Sequence, residues 1–99
     1  MREKEIEEYS RKLAVTRGWL VRKVKWLGRR GAPDRIFLKK ASEPCILCQG
    51  NHRALFVEFK RPGGKPTPLQ EREIERLRAS GAEVYVVDSK EAADELFKT

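Results

Sequence analysis

Long apolar runs are missing from this sequence, and so is a recognisable signal peptide. No stretch approaches the ~20 apolar residues that a membrane-spanning helix requires, so we expect no contact with a membrane. The chain is therefore predicted to be intracellular, in the cytoplasm or nucleoid, or in the host cytoplasm if it is viral. In such a compartment its two cysteines would stay reduced.

Internal repeats, low-complexity tracts and domain boundaries are also missing. A length of 99 residues suffices for one small domain and not for two, so we predict a single domain over residues 1–99. Hydrophobic residues make up 39% of the chain and charged residues 37%, so the core must be small.

Acidic residues are few relative to basic ones, 15 against 22, and the net charge is +7. A surplus of this sign is typical of a protein that binds a polyanion such as nucleic acid. The alternative is a charge that only keeps the protein soluble, but the clustering of basic residues near the acidic motif described below favours nucleic acid. No recognition helix or zinc-finger pattern is visible, so we expect the shape of the nucleic acid to select the substrate.

The pattern of apolar residues predicts an α/β protein whose elements follow the order αβββαβα. Apolar residues at helical spacing, Ile6, Tyr9 and Leu13, indicate a first helix over residues 2–17. Short or alternating apolar runs indicate four strands, over residues 19–26, 35–38, 55–60 and 83–87. Two further helices are expected, one over residues 68–79 and one that begins at Asp88 or Ser89.

The second helix has a distinct start signal. Thr67 is a good N-cap, Pro68 suits the first helical position, and Gln70 completes a capping box. Gln70 also lies on the stripe with Ile74 that faces the sheet, where it would point toward the end of the strand that carries Lys60. Gln70 therefore has two compatible roles, one as a cap for a backbone N–H and one as a site residue.

Charged residues in two of the predicted strands form the most informative motif. Asp34 follows Pro33 at the head of one strand, and Glu58 and Lys60 project to the same face of the next. If the strands are neighbours, two carboxylates and one ammonium meet, which is the composition of a metal-dependent phosphodiesterase site. Mg²⁺ usually takes only one or two protein carboxylates, and the lysine can position or deprotonate water or stabilise a pentavalent phosphate.

An ordinary surface ion pair between Glu58 and Lys60 is the alternative, and such pairs stabilise a protein little. Both residues, however, lie within a strand of hydrophobic residues, where a charge is costly unless it has a function. The position of the pair therefore favours a site.

Three segments of the chain resemble the VRR-NUC family, a branch of the PD-(D/E)XK nuclease superfamily. They are Gly31-Ala32-Pro33-Asp34-Arg35, Phe56-Val57-Glu58-Phe59-Lys60 and Gly63-Gly64-Lys65-Pro66-Thr67-Pro68-Leu69-Gln70. The similarity continues to Gly81-Ala82-Glu83-Val84 and Val87-Asp88-Ser89, so it covers almost the whole chain. The resemblance implies a restriction-endonuclease-like α/β core, with a mixed central sheet flanked by helices. It also implies a Mg²⁺-dependent DNA endonuclease in which Mn²⁺ can replace Mg²⁺.

The resemblance also implies roles for individual residues. Asp34, Glu58 and the backbone carbonyl of Phe59 would bind the metal, and Lys60 would be the catalytic lysine. Gln70 would be a site residue that orients Lys60 or the attacking water.

The family has a further glutamate in its first helix, and this helix offers four candidates, Glu3, Glu5, Glu7 and Glu8. Glu3 projects nearest to the apolar stripe of the helix and is the first choice for the catalytic site, with Glu7 second. The alternative is a solvated acidic first turn that interacts favourably with the helix dipole.

Basic residues that flank the motif are predicted to neutralise DNA phosphates in a salt-sensitive manner. They are Arg22, Lys23, Lys25, Arg29, Arg30, Arg35, Arg61 and Lys65. Cys45 and Cys48 have the spacing of half a zinc site, with His52 as a third ligand and no obvious fourth. A structural zinc is thus a minor alternative to free thiols in a long connection.

Minimal members of the family resemble Holliday junction resolvases, which implies a homodimer that cuts branched DNA. Four aromatic residues, Trp19, Trp26, Phe37 and Phe97, could contribute to its interface, although a place in the core is the favoured interpretation of each. The alternatives are a monomeric nuclease directed to flaps or nicks, a DNA-binding module of the same fold without activity, and an interaction protein whose charge only solubilises it.

Overall fold

The described part of the chain comprises residues 2–28, 31–39 and 53–98 of a computed structural model. It contains, in order, α1 (Glu3–Thr16), β1 (Trp19–Lys23), β2 (Arg35–Lys39), β3 (Arg53–Phe59), α2 (Pro68–Ala79), β4 (Glu83–Val87) and α3 (Lys90–Leu96). This is the predicted order αβββαβα. None of the described helices has the length and apolar character needed to cross a membrane.

The four strands form one mixed sheet in the order β1-β2-β3-β4. The pairs β1–β2 and β2–β3 are antiparallel, whereas β4 lies parallel to β3. A parallel neighbour requires a crossover connection, and helix α2 provides it between β3 and β4. The predicted α/β architecture, a mixed sheet flanked by helices, is confirmed.

Alternation along β3 separates the two faces of the sheet. Leu55, Val57 and Phe59 are buried in one cluster with residues of α1 and α3, so these two helices cover one face. Glu58 points to the other face, where the side chain of Gln70 from α2 reaches it. The main core therefore lies on the face of α1 and α3, and Glu58 lies on the face of α2.

Three of the four aromatic residues considered for a dimer interface belong to this core. Trp19 is 4% exposed, and Phe37 and Phe97 are fully buried. The ring of Phe97 lies 4.7 Å from that of Phe37 and 5.7 Å from that of Trp19, measured between centroids. Because these rings pack against one another within one subunit, they belong to the core, which was the favoured interpretation of each, and they do not provide a dimer interface.

Strand β1 ends at Lys23, earlier than its predicted end at residue 26. The segment opposite cannot remain extended, because Gly31 has a φ of +83°, outside the β region. Trp26 instead bends back, and its indole N–H donates to the carbonyl of Pro33 at 2.6 Å. A side-chain hydrogen bond thus replaces strand pairing at this end of the sheet.

The other elements differ from the predictions only at their ends. The observed bounds are Glu3–Thr16 for the first helix, Arg35–Lys39 for β2 and Arg53–Phe59 for β3, so Lys60 directly follows its strand. The predicted capping box of α2 is present. The Thr67 hydroxyl accepts from the backbone N–H of Gln70 at 3.2 Å, and Gln70 Oε1 accepts from the backbone N–H of Thr67 at 2.9 Å.

Candidate active site

Strand pairing brings the three residues of the acidic motif together. In the antiparallel register of β2 and β3, Arg35 lies opposite Val57. One further step along each chain places Asp34 opposite Glu58, with both side chains on the face of α2. Lys60 lies two residues after Glu58 and projects to the same face.

The backbone around this motif is fixed by both neighbouring strands. The carbonyl of Asp34 accepts from the N–H of Val24 at 2.8 Å, on the side of β1. The N–H of Lys60 donates to the carbonyl of Val87 at 2.9 Å, on the side of β4. The positions of Asp34 and Lys60 are thus set by hydrogen-bonded backbone rather than by a free loop.

One oxygen of Glu58 is the meeting point of the polar side chains. Glu58 Oε1 accepts from Gln70 Nε2 at 3.0 Å and lies 3.7 Å from Lys60 Nζ. Because Gln70 Oε1 is already the acceptor in the capping box, its amide nitrogen must face the carboxylate. Gln70 therefore caps α2 and enters the site at once, although it contacts Glu58 rather than Lys60.

Burial distinguishes the members of the site. The side chains of Glu58 and Lys60 are 12% and 16% exposed, whereas Asp34 is exposed. Loss of solvation on burial is the main reason why the pKa of Glu58 is raised to about 7, and Lys60 opposes the shift. The charges of Asp34 and Glu3 raise this pKa further, so both carboxylates lie close enough to act on Glu58.

The donor set fits a hard divalent cation. Asp34 and Glu58 provide two carboxylates, the number that Mg²⁺ usually takes, and a cation would offset the repulsion that raises the pKa of Glu58. The buried side chain of Phe59 faces the core, so this residue can offer only its backbone carbonyl. Within residues 2–28, 31–39 and 53–98, no three or more His, Cys, Asp or Glu side chains are arranged to hold a metal, so Glu3 does not complete a three-carboxylate site.

Replacing Glu58 by glutamine is expected to stabilise the metal-free protein at high pH and not at low pH. The folded-state pKa of about 7 lies above the ordinary value of 4.5, so the folded state holds this proton more tightly. That contribution is fully present below pH 4.5 and is lost as the pH rises through 7. Glutamine does not ionise, so Tm should match the wild type near pH ~4 and exceed it by a few degrees near pH ~8.

The measurement is thermal denaturation followed by circular dichroism in EDTA at both pH values. Glu75→Gln is the control, because Glu75 is an exposed glutamate of α2, whereas Glu58 is a mostly buried one of β3. It should differ from the wild type by the same amount at both pH values. If the Tm of Glu58→Gln also differs from that of the wild type by the same amount at both pH values, ionisation of Glu58 does not destabilise the folded protein.

The two candidate glutamates of α1 have different surroundings. Glu7 Oε1 accepts from Arg35 Nε at 2.5 Å, and this pair is about three-quarters buried. Glu3 remains exposed near the site. Glu7 is thus held in an ion pair, which leaves Glu3 as the better candidate for the further glutamate of the site. The guanidinium of Arg35 is likewise partly engaged by Glu7 before it could bind a DNA phosphate.

Trp26 and Gly31, which the sequence did not indicate as site residues, fix the loop before Asp34. Trp26 donates to the carbonyl of Pro33, and its ring lies 5.7 Å from that of Phe56. A Cβ at Gly31 would lie only 2.9 Å from the carbonyl oxygen of Leu69, at the start of α2. The sequence motif Gly31-Ala32-Pro33 indicated that this loop belongs to the site. Only the tertiary structure shows that Gly31 approaches Leu69 and that Pro33 is bonded by Trp26.

Most of the predicted phosphate-binding residues that the structure describes are exposed at this end of the sheet. They are Arg22, Lys23, Lys25, Arg61 and Lys65. Arg29 and Arg30 lie outside the described residues, as do Cys45, Cys48 and His52, so the zinc site stays a prediction from the sequence.

Comparisons with known proteins identify the family and the fold. Residues 4–91 match the family model of the VRR-NUC domain. A solved structure described as "VRR_NUC domain" is 36% identical, covers 97% of this chain and 94% of its own, and has a TM-score of 0.72. A curated protein of Acyrthosiphon pisum secondary endosymbiont phage 1, "Putative nuclease p44", is 45% identical over 64 residues. This match covers 65% of the chain and 58% of the phage protein, so it spans little more than half of that relative.

Proposed function

Because this chain belongs to the VRR-NUC domain family, a family of nucleases, we propose that it is a Mg²⁺-dependent endonuclease that hydrolyses phosphodiester bonds in branched DNA. The observation that carries the proposal is the arrangement of Asp34, Glu58 and Lys60 on one face of the sheet. The phage relative with a nuclease name supports the same class of reaction and a setting inside a host cell. The family match over residues 4–91 supports treating the chain as one nuclease domain.

Each residue of the site has a distinct task in the proposed reaction. Asp34, Glu58 and the carbonyl of Phe59 would hold Mg²⁺ or Mn²⁺, which when bound neutralises phosphate charge and lowers the pKa of coordinated water. Among the described residues, the hydrogen bond and the lysine contact of Glu58 both fall on Oε1. Gln70 thus orients the carboxylate so that Oε2 is available to the cation.

Lys60 would act on the reacting phosphate rather than on the fold. Its ammonium lies at the edge of the carboxylate pair and is mostly buried, so little water screens its charge. It would hold the attacking water and help remove its proton, or stabilise the negative charge of the pentavalent phosphate. Exposed basic residues around the site would bind the flanking phosphates without reading base sequence.

A homodimer that resembles Holliday junction resolvases remains the proposed assembly, because two sites related by a two-fold axis suit a four-way junction. One observation favours the second candidate, a monomeric nuclease directed to flaps or nicks. Three of the four aromatic residues considered for the interface are packed in the core and leave no aromatic surface there for a partner. The mass in solution, measured by light scattering with and without DNA, separates these two assemblies.

The test of function is cleavage of a panel of DNA substrates. Purified protein is incubated with a four-way junction, a flap, a nicked duplex, an intact duplex and a single strand, each with Mg²⁺, Mn²⁺ or EDTA. We expect cleavage of a branched substrate with either metal and none in EDTA. If the protein binds these substrates and cuts none of them, it is a DNA-binding module of this fold. If it does not bind DNA at physiological salt, its charge only keeps it soluble.

A further inference from the structure

We propose that a pocket beside Asp34 receives one unpaired nucleotide of the DNA strand next to the scissile phosphate. This inference rests on the proposed nuclease function. The pocket has a volume of about 520 Å³ and is lined by Lys23, Val24, Lys25, Trp26, Ala32 and Asp34.

The pocket and the candidate active site share a wall. Asp34 lines the pocket and also faces Glu58 across the strands. Val24 and Asp34 both line the pocket, and the N–H of Val24 donates a hydrogen bond to the carbonyl of Asp34. Because β1 and β3 lie on opposite sides of β2, the pocket adjoins Asp34 on the side away from Glu58 and Gln70. A strand of DNA whose phosphate lies at Asp34 would therefore place an adjacent nucleotide in the pocket.

The lining has the chemistry of a nucleotide site. Val24, Ala32 and the half-buried indole of Trp26 provide apolar surface, on which the flat face of a base can stack. Lys23 and Lys25 are exposed at the same pocket and provide two positive charges for a phosphate. The volume lies within the range of roughly 300–1,000 Å³ that is usual for small-molecule sites.

The nucleotide must be unpaired for a physical reason. In a duplex both faces of each base are covered by stacked neighbours, so a base reaches a protein pocket only if it leaves the stack. Unstacking is least costly where the strand is already single or branched. The pocket would therefore favour gaps, flaps and junctions over intact duplex, which is the structural selectivity expected of this protein.

Two substitutions of Trp26 separate stacking from the support of the loop. Both Trp26→Phe and Trp26→Leu remove the indole N–H that donates to the carbonyl of Pro33. Only the leucine variant also removes the aromatic ring. Any difference between these two variants therefore reports on the ring rather than on the hydrogen bond.

The probes are two fluorescein-labelled duplexes of one sequence, one intact and one with a gap of three unpaired nucleotides. Affinities are measured by anisotropy in EDTA, so that no cleavage occurs. Trp26→Leu should bind the gapped DNA about 10-fold more weakly than Trp26→Phe does, and the intact duplex within about 2-fold. Equal affinities of the two variants for the gapped DNA, or an equal loss on both DNAs, would overturn the proposal.

A second readout does not depend on the folding of any variant. A gapped probe that carries 2-aminopurine at an unpaired position should lose fluorescence when the wild-type protein binds, because the base stacks on Trp26. The inference fails if the emission of bound probe is unchanged at every unpaired position.

The failure of this inference and that of the nuclease function are distinguishable. The anisotropy assay is performed in EDTA and requires neither metal nor cleavage. The cleavage panel measures hydrolysis and does not depend on whether the ring of Trp26 contributes to binding. If the protein cuts DNA and the two Trp26 variants bind alike, the function stands and the pocket assignment is wrong. If the ring matters for binding and no DNA is cut with Mg²⁺ or Mn²⁺, the function is wrong.

Discussion

Replacement of Lys60 by alanine is expected to reduce the rate of DNA cleavage by roughly 10²–10⁴-fold, the usual effect of removing an acid–base group. The lysine ammonium lies 3.7 Å from Glu58 Oε1 in a mostly buried position, where a positive charge acts strongly on a phosphate. Asp34→Asn should cause a loss of similar size, because an amide holds a divalent cation less well than a carboxylate does. Initial rates on the preferred substrate with saturating Mg²⁺ measure both effects.

Two controls distinguish a catalytic loss from a general one. Lys12→Ala removes the same charge from an exposed position of α1 and should leave the cleavage rate unchanged within about 2-fold. Binding of DNA by Lys60→Ala in EDTA should also stay within a few-fold of the wild type, since one phosphate contact at most is lost. If Lys60→Ala and Asp34→Asn both cut as well as the wild type, these residues are not the active site.

In the proposed function, the surroundings of Glu58 give both the lysine and the metal a role in compensating its charge. Burial and two neighbouring carboxylates disfavour its charge and raise its pKa to about 7, and Lys60 opposes this shift only in part. A cation held between Asp34 and Glu58 would compensate the rest. The charge that burial disfavours in the metal-free protein is thus the charge that would bind the metal in the proposed reaction.

Local signals accounted for the features of this chain that were predicted well. The capping box at Thr67 and Gln70 involves residues three apart, so the sequence alone shows both partners. The shared face of Glu58 and Lys60 likewise follows from the two-residue period of a strand. Helix α2 and half of the candidate site were therefore predictable without any long-range contact.

Contacts between segments that are far apart in the sequence could not be predicted from such local signals. Periodicity assigns residues to faces but does not set strand register, so the position of Asp34 opposite Glu58 required the β2–β3 pairing. The end of β1 was misplaced for the same reason, because the bond from Trp26 to the carbonyl of Pro33 depends on the turn between them. The sequence likewise could not establish whether the aromatic residues lie in the core or at a dimer interface. The packing of Phe37 against Phe97 shows that these two lie in the core.

Gly31→Ala is expected to destabilise the fold by about 2–5 kcal/mol and to slow cleavage as well. A residue with a side chain is strained at its φ of +83° by about 1–2 kcal/mol. The new Cβ would also lie 2.9 Å from the carbonyl oxygen of Leu69 and 3.0 Å from the backbone of Gln70. Relief of this overlap must move the loop that carries Asp34 away from the start of α2, which adds about 1–3 kcal/mol.

Gly18→Ala is the matched control, because Gly18 has a φ of +91° and a Cβ there meets nothing within 4 Å. It shares the strain of Gly31→Ala and lacks the overlap, so it should cost only about 1–2 kcal/mol. Urea denaturation gives both free energies of unfolding. Equal losses for the two variants would show that the loop and α2 are not closely packed.

The effect of Gly31→Ala on cleavage tests whether this packing positions the site. Asp34 lies three residues after Gly31, and Gln70 orients Glu58 from the helix that the new Cβ would push. A shift of about 1 Å between these groups costs up to roughly 10²-fold in rate. Assayed well below its Tm, the variant should therefore lose kcat, whereas Gly18→Ala should not. A folded Gly31→Ala protein with the kcat of the wild type would show that Asp34 and Gln70 need no fixed separation.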